Sequence, residues 1–169
     1  MVTLVVEDGT GLPTANAFAS VEEVDAILEP NIHSLWSGID TEDKKKLIVW
    51  ATMILIQRAR WKGCRVSATS GTPFPRSGLR DQDRNFYPDD AIPQPLKVAT
   101  ALLADHLSQQ DPTLANGQKN LKRLDVDVIS LQFDMETTPE RWPTSIGIIL
   151  RDIAKLSFSG TGGKPIIKH

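Results

Sequence analysis

The chain has 169 residues, 24% of them charged and 40% hydrophobic, with a formal net charge of −2. Length and composition set a single soluble-type domain with a real core as the expectation, and the charge excludes a broadly basic protein. The single cysteine, Cys64, excludes a disulfide framework or a cysteine-built zinc site and fits a reducing compartment. The opening MVTLVVEDGT has neither a basic segment nor an apolar run of signal-peptide length, and no window approaches the ~20 apolar residues of a membrane helix.

In chain order, residues 2–6 (VTLVV) are β-branched and short, which predicts a strand, and EDGTGLP follows as a turn. Ser20 with Glu23 three residues on forms a capping box that opens a short helix from Val21 to Leu28, limited by Pro30. Thr41 is the expected cap of a second helix, with Glu42 and Asp43 in its first turn. Leu47, Trp50, Ala51, Ile54, Leu55, Arg58 and Trp61 keep helical spacing, so this helix is expected to reach about Trp61 and stop at Gly63.

Residues 64–92 show little regular pattern, which in a compact domain points to a functional or partner-ordered span. Pro93 and Pro95 open a third helix with Leu96, Ala99, Leu103 and Leu107 on one face, ended by Asp111-Pro112. In LKRLDVDVISLQFD the alternation of Leu124, Val126 and Val128 shifts phase to Ile129, Leu131 and Phe133, which predicts a β-hairpin or arm near 121–134. A last helix begins at Thr144-Ser145 and carries Ile146, Ile149, Ile153 and Leu156 on one face. The expected fold is mainly α: a small helical bundle in one domain over 1–159, with an added β-hairpin or arm and an extended, flexible tail over 160–169.

Charge is unevenly spread. Residues 58–84 hold seven cations against two acids, a local +5, while the rest of the chain carries twelve cations and nineteen acids, or −7. Such polarity suits an acidic partner, and equally a set of subunits meeting plus to minus. Trp61 among Arg58, Arg60, Lys62 and Arg65 resembles a stacking-and-neutralising site for single-stranded nucleic acid; the competing reading is a tryptophan that closes a core beside cations favoured at a helix C-terminus.

Other motifs fail on chemistry. DQDRNFYPDDAI places Asp81, Asp83, Asn85 and Asp89 at calcium-loop positions, but Phe86 and Ile92 stand where glycine and a bidentate glutamate are needed. GTGLPT lacks the third glycine of a dinucleotide fingerprint, and GTGGKP puts Pro165 where a P-loop has Ser or Thr. His33, His106 and His169 are far apart, and Asp125 and Asp127 read as the wet face of a strand. No catalytic, metal or cofactor-binding residue is therefore expected, and no enzyme activity.

Three blocks carry a family resemblance: VVEDGTGLPTANAFASVEEVDAIL, RARWKGCRVS and FPRSGLRDQDRNFYPDDAIPQPLKVATALLADHL, together covering roughly residues 4–110. Their order and spacing resemble the small tailed-phage proteins often labelled DnaT-like single-stranded-DNA-binding proteins, which are similar to head–tail connector (adaptor, head-completion) proteins. The resemblance implies a structural virion protein at the head–tail interface, made in the bacterial cytoplasm. It would be a homo-oligomeric ring of twelve subunits joining the portal protein to the tail or the next connector.

DNA would pass through the ring without sequence-specific binding, and no membrane partner is implied. Because a basic channel would retard DNA, Arg76, Arg80 and Arg84 are expected to face protein together with Asp81 and Asp83. In the tail, Lys164, Pro165, Ile166 and Ile167 are expected to dock on the portal or a neighbouring subunit. The alternative function is single-stranded-DNA binding through Arg58, Arg60, Trp61, Lys62 and Arg65.

Overall fold

The computed structural model describes residues 2–109, 124–126, 129–131 and 143–156. Helix α1 spans Val21–Leu28, α2 Thr41–Arg58, α3 Gln94–Gln109 and α4 Thr144–Ile149, with a 3-10 turn at Trp36–Gly38. The strands are short: β1 Ala59–Trp61, β2 Cys64–Arg65, β3 Arg76–Ser77, β4 Leu124–Val126, β5 Ile129–Leu131 and β6 Ala154–Leu156. They form three two-stranded antiparallel sheets, β1 with β6, β2 with β3 and β4 with β5. The helices and the hairpin near 121–134 are present as expected, but the three ribbons make the content mixed rather than plainly α. Among the described residues no helix is long and apolar enough to cross a membrane.

The capping box of α1 forms in both directions: Ser20 Oγ accepts from the Glu23 amide at 3.2 Å, and the Ser20 amide donates to Glu23 Oε2 at 2.9 Å. The other Glu23 oxygen takes Lys97 Nζ, which ties the start of α1 to α3. α1 buries Val21, Val24 and Leu28, and α3 packs on α1, α2 and α4 through a face that includes Leu96, Ala99 and Leu103. The cap of α2 is Asp40 and not Thr41. Asp40 holds the extended backbone of a cap and its carboxylate accepts from the Glu42 amide at 3.0 Å, while Thr41 is already helical.

Three sequence expectations change at element ends. Residues 2–6 make no strand of their own; one parallel bridge, Val6 to Ala17, joins them to the segment before α1. α2 stops at Arg58, because Ala59 turns extended and the chain continues as β1. Likewise the last helix ends at Ile149, and after a turn the chain returns as β6. In both places Ala59–Trp61 and Ala154–Leu156 satisfy each other's backbone groups, with Arg60 opposite Lys155 in the register.

The span 64–92 is tied to its own chain. β2 and β3 close a loop whose interior is polar but bonded. Arg65 donates to the Ser70 and Thr72 carbonyls, both at 2.8 Å, and Ser70 Oγ donates to the Phe74 carbonyl at 2.7 Å. Gly71 sits so close to the neighbouring segment that a Cβ would lie 2.5 Å from the Ala15 carbonyl oxygen. Phe74, Leu79 and Ile92 from this span are part of the main core.

The turn EDGTGLP is anchored by a buried carboxylate. Glu7, 1% exposed, accepts from the Gly9 and Gly11 amides at 3.1 and 2.8 Å with Oε1, and from Ser70 Oγ at 3.1 Å with Oε2. The amides that gave this loop its phosphate-binding look are thus turned inward onto the protein's own anion.

Candidate nucleic-acid interface

The β1–β6 ribbon has two unlike faces. Alternation sends Ala59 and Trp61, with Ala154 and Leu156, toward the core, and leaves Arg60 and Lys155 exposed on the other side. Directly opposed like charges destabilise a strand pair unless something anionic lies near them. Neither Arg60 nor Lys155 has an ion pair with any described residue.

Further cations adjoin them. Arg58 ends α2 and is exposed, and Lys62 extends the strand and donates from Nζ to the Arg151 carbonyl at 2.6 Å. Arg151 itself reaches Asp152 only loosely, at 3.8 Å. Lys62, Arg151 and Lys155 line one groove of about 520 Å³ together with Thr144, Gly147, Ile148, Ala154 and Leu156. Ile148 is 61% exposed, so the groove pairs cations with an open apolar side chain.

Trp61 belongs to the opposite face. Its ring meets Phe74 edge-on at 5.1 Å and Phe18 at 6.1 Å, and Phe18 meets Phe74 at 5.8 Å. Phe18 and Phe74 are fully buried, and Trp61 is half-buried against them. Three edge-to-face contacts give the cluster directional packing beyond its buried area. The ring that the alternative would have stacked on bases is therefore committed to the core, as the competing reading of a core-closing tryptophan has it, while its strand neighbours Arg60 and Lys62 stay outside.

The other sequence-derived candidates separate into clamps and surface. Arg65 is committed to the 70–72 loop. Arg76 is half-buried and donates to the Lys62, Gly63 and Pro73 carbonyls at 2.7, 2.7 and 3.1 Å; burial first and nearby Arg65 second lower its pKa from the usual guanidinium value. Gly63 makes this approach possible: its φ is +66°, and a Cβ there would lie 2.3 Å from the Ser77 carbonyl oxygen.

Arg80, Asp83 and Arg84 are exposed. Asp81 accepts from the Asn85 side chain and from the Asn85 amide, at 3.1 and 2.8 Å, and its pKa falls below the ordinary carboxylate value chiefly through that side-chain bond. Lys164, Pro165, Ile166 and Ile167 lie outside the described residues, as does the tail 160–169.

Beside the basic face runs a groove of about 710 Å³ lined by Asp81, Asp83 and Asp152, with Tyr87, Ile148 and Arg151 also on its wall. Burial raises the Tyr87 phenol above its usual pKa, with Asp152 and Asp81 adding to the shift. Ile148 and Arg151 border both grooves, so they form the ridge between a basic and an acidic surface. Sequence reasoning missed Lys155 and Arg151; the signal was Ala154-Lys155-Leu156, which repeats the apolar–cation–apolar alternation of Ala59-Arg60-Trp61.

A family model described as "Putative DnaT-like ssDNA binding protein" matches residues 2–166. No curated protein and no solved structure matches the chain. With a match that runs almost from end to end, the chain belongs to the family described as putative DnaT-like ssDNA-binding proteins.

Proposed function

We propose that the protein binds single-stranded DNA along the basic face of the β1–β6 ribbon. The observation that carries this reading is the unpaired opposition of Arg60 and Lys155, flanked by Arg58, Lys62 and Arg151. Phosphates laid along the ribbon would neutralise charges that otherwise repel, and the released counterions drive such binding. The family description supports the same reading. Trp61 supports the site from beneath, by packing, and does not meet the bases.

Fluorescence anisotropy with a labelled oligo-dT tests the reading. Arg60→Glu combined with Lys155→Glu should weaken binding by at least ~ten-fold while the thermal midpoint stays within a few degrees, because exposed charges contribute little to stability. Equal affinity in the double variant would refute it.

A second reading keeps the chain as a structural adaptor of a tailed-phage particle: a homo-oligomeric ring, twelve subunits, between portal and tail. The motif blocks over residues 4–110 favour it, and so does the ridge of Ile148 and Arg151 with a basic groove on one side and an acidic groove on the other. A surface with both signs side by side is suited to head-to-tail pairing between copies. Neither reading gives the chain a catalytic step or a cofactor. Electron micrographs of the protein mixed with portal separate them: rings on the portal support the adaptor, and free monomers that bind oligo-dT support the first reading.

A further inference from the structure

Residues 79–87 form a small closed hairpin that no part of the ribbon argument uses. Arg80 and Phe86 are bridged across it; Tyr87 donates to the Leu79 carbonyl at 3.0 Å, Asp81 to Asn85 at 2.9 Å and Arg84 to Asp81 at 3.1 Å. Arg84 takes φ +69° to close the turn, and Leu79 roots the hairpin in the core. On this rigid base Phe86 is 63% exposed, and the Arg80 guanidinium lies over its ring at 4.2 Å from the centroid. Arg80 has no carboxylate partner among the described residues.

An exposed phenylalanine held in place, with one face capped by an arginine, costs little further entropy when a second flat group stacks on it. The hairpin is also adjacent to the ribbon. Gly63, just after β1, abuts Leu79, and Arg76 at the base of the hairpin bonds to the Lys62 and Gly63 carbonyls. The grooves on either side of Ile148 and Arg151 reach Asp81 and Tyr87 at one end and Lys62 and Lys155 at the other.

Resting on the single-stranded-DNA reading above, we infer that Phe86, backed by Arg80, is the platform on which an unpaired base stacks while the ribbon holds the phosphates. The two parts divide the work by charge. Within the hairpin Arg80 and Arg84 are offset by Asp81 and Asp83, so it adds stacking and no net attraction for phosphate. A base inside a duplex has no free face, so this platform selects single strands.

The test is oligo-dT binding across a salt series for wild type, Phe86→Ala and Phe86→Tyr, with size-exclusion chromatography of each. Phe86→Ala should weaken binding about ten-fold with the slope of log K against log salt unchanged. Phe86→Tyr should restore it, and a 5-iodouracil-substituted oligonucleotide should photocrosslink to Phe86. If wild type binds and Phe86→Ala binds equally, the platform is wrong and the ribbon reading stands. If the alanine variant keeps its DNA affinity but changes oligomeric state, Phe86 is a protein contact and the inference fails. If wild type binds no oligo-dT, the platform and the ribbon reading fail together.

Discussion

The inner and outer faces of β1 differ by a single step in the sequence and have opposite physical roles. Trp61 faces in and meets Phe18 and Phe74 in two edge-to-face contacts, and a third joins those two rings to each other. Arg60 faces out, opposite Lys155, with no anionic partner among the described residues. A strand with a period of two can build a core and a binding surface from adjacent residues, and mutations on its two faces should therefore fail in different ways.

The largest expected effect lies on the inner face. Trp61→Ala removes one member of the aromatic cluster, and should cost about 3 to 5 kcal/mol of stability in a urea melt. Any DNA affinity lost in that variant should return in full for the fraction that remains folded. A stable Trp61→Ala protein with no DNA binding would instead put the stacking ring back on the surface.

Glu7 extends the inner side of the comparison to a polar anchor. Glu7→Ala strips the shared acceptor from the buried Gly9 and Gly11 amides, while the Ser70 hydroxyl keeps the Phe74 carbonyl, and should cost about 3 kcal/mol, since buried donors left without partners lose their full desolvation energy. Proteolysis should then begin in the 7–15 or 66–74 loops, which Glu7 joins through Ser70.

A smaller effect is expected at the hairpin, where pH acts. The Asp81 pKa is lowered in the fold, so its contribution is present above the ordinary aspartate pKa of about 3.9 and is lost as pH falls through the lower folded value. The protection of the Asn85 amide, taken relative to intrinsic exchange at each pH, should therefore fall in that acidic window, and Asp81→Asn should remove the pH dependence of that protection. Protection of that amide that stays flat from about pH 5 to about pH 2 in wild type would show that the Asp81–Asn85 bonds do not hold the turn.

How much of this could be read in the sequence follows the range of the signals. The capping box at Ser20 and Glu23 and the apolar faces of α1 and α3 are local, and they appear where expected. The end of α2 is not local. Trp61 sits three after Arg58, as a helix would have it, and two after Ala59, as a strand would; the choice is made by residues 154–156, almost a hundred positions away. Arg58, Arg60 and Lys62 are legible as a local basic cluster, but the same distance hid Arg151 and Lys155, the cations that the second strand brings to it. Arg65 and Arg76 show the reverse problem: their charge suggested a surface, but backbone carbonyls of nearby loops take up their donors.

The central claim is that the outer face of the ribbon engages phosphates one cation at a time. It is tested most directly by the salt slope of oligo-dT binding for wild type against Arg60→Gln with Lys155→Gln, a pair that removes charge without adding any. The slope should shrink by about 1.4, roughly 0.7 for each single-strand phosphate that is no longer neutralised. An unchanged slope in the double variant would contradict the account.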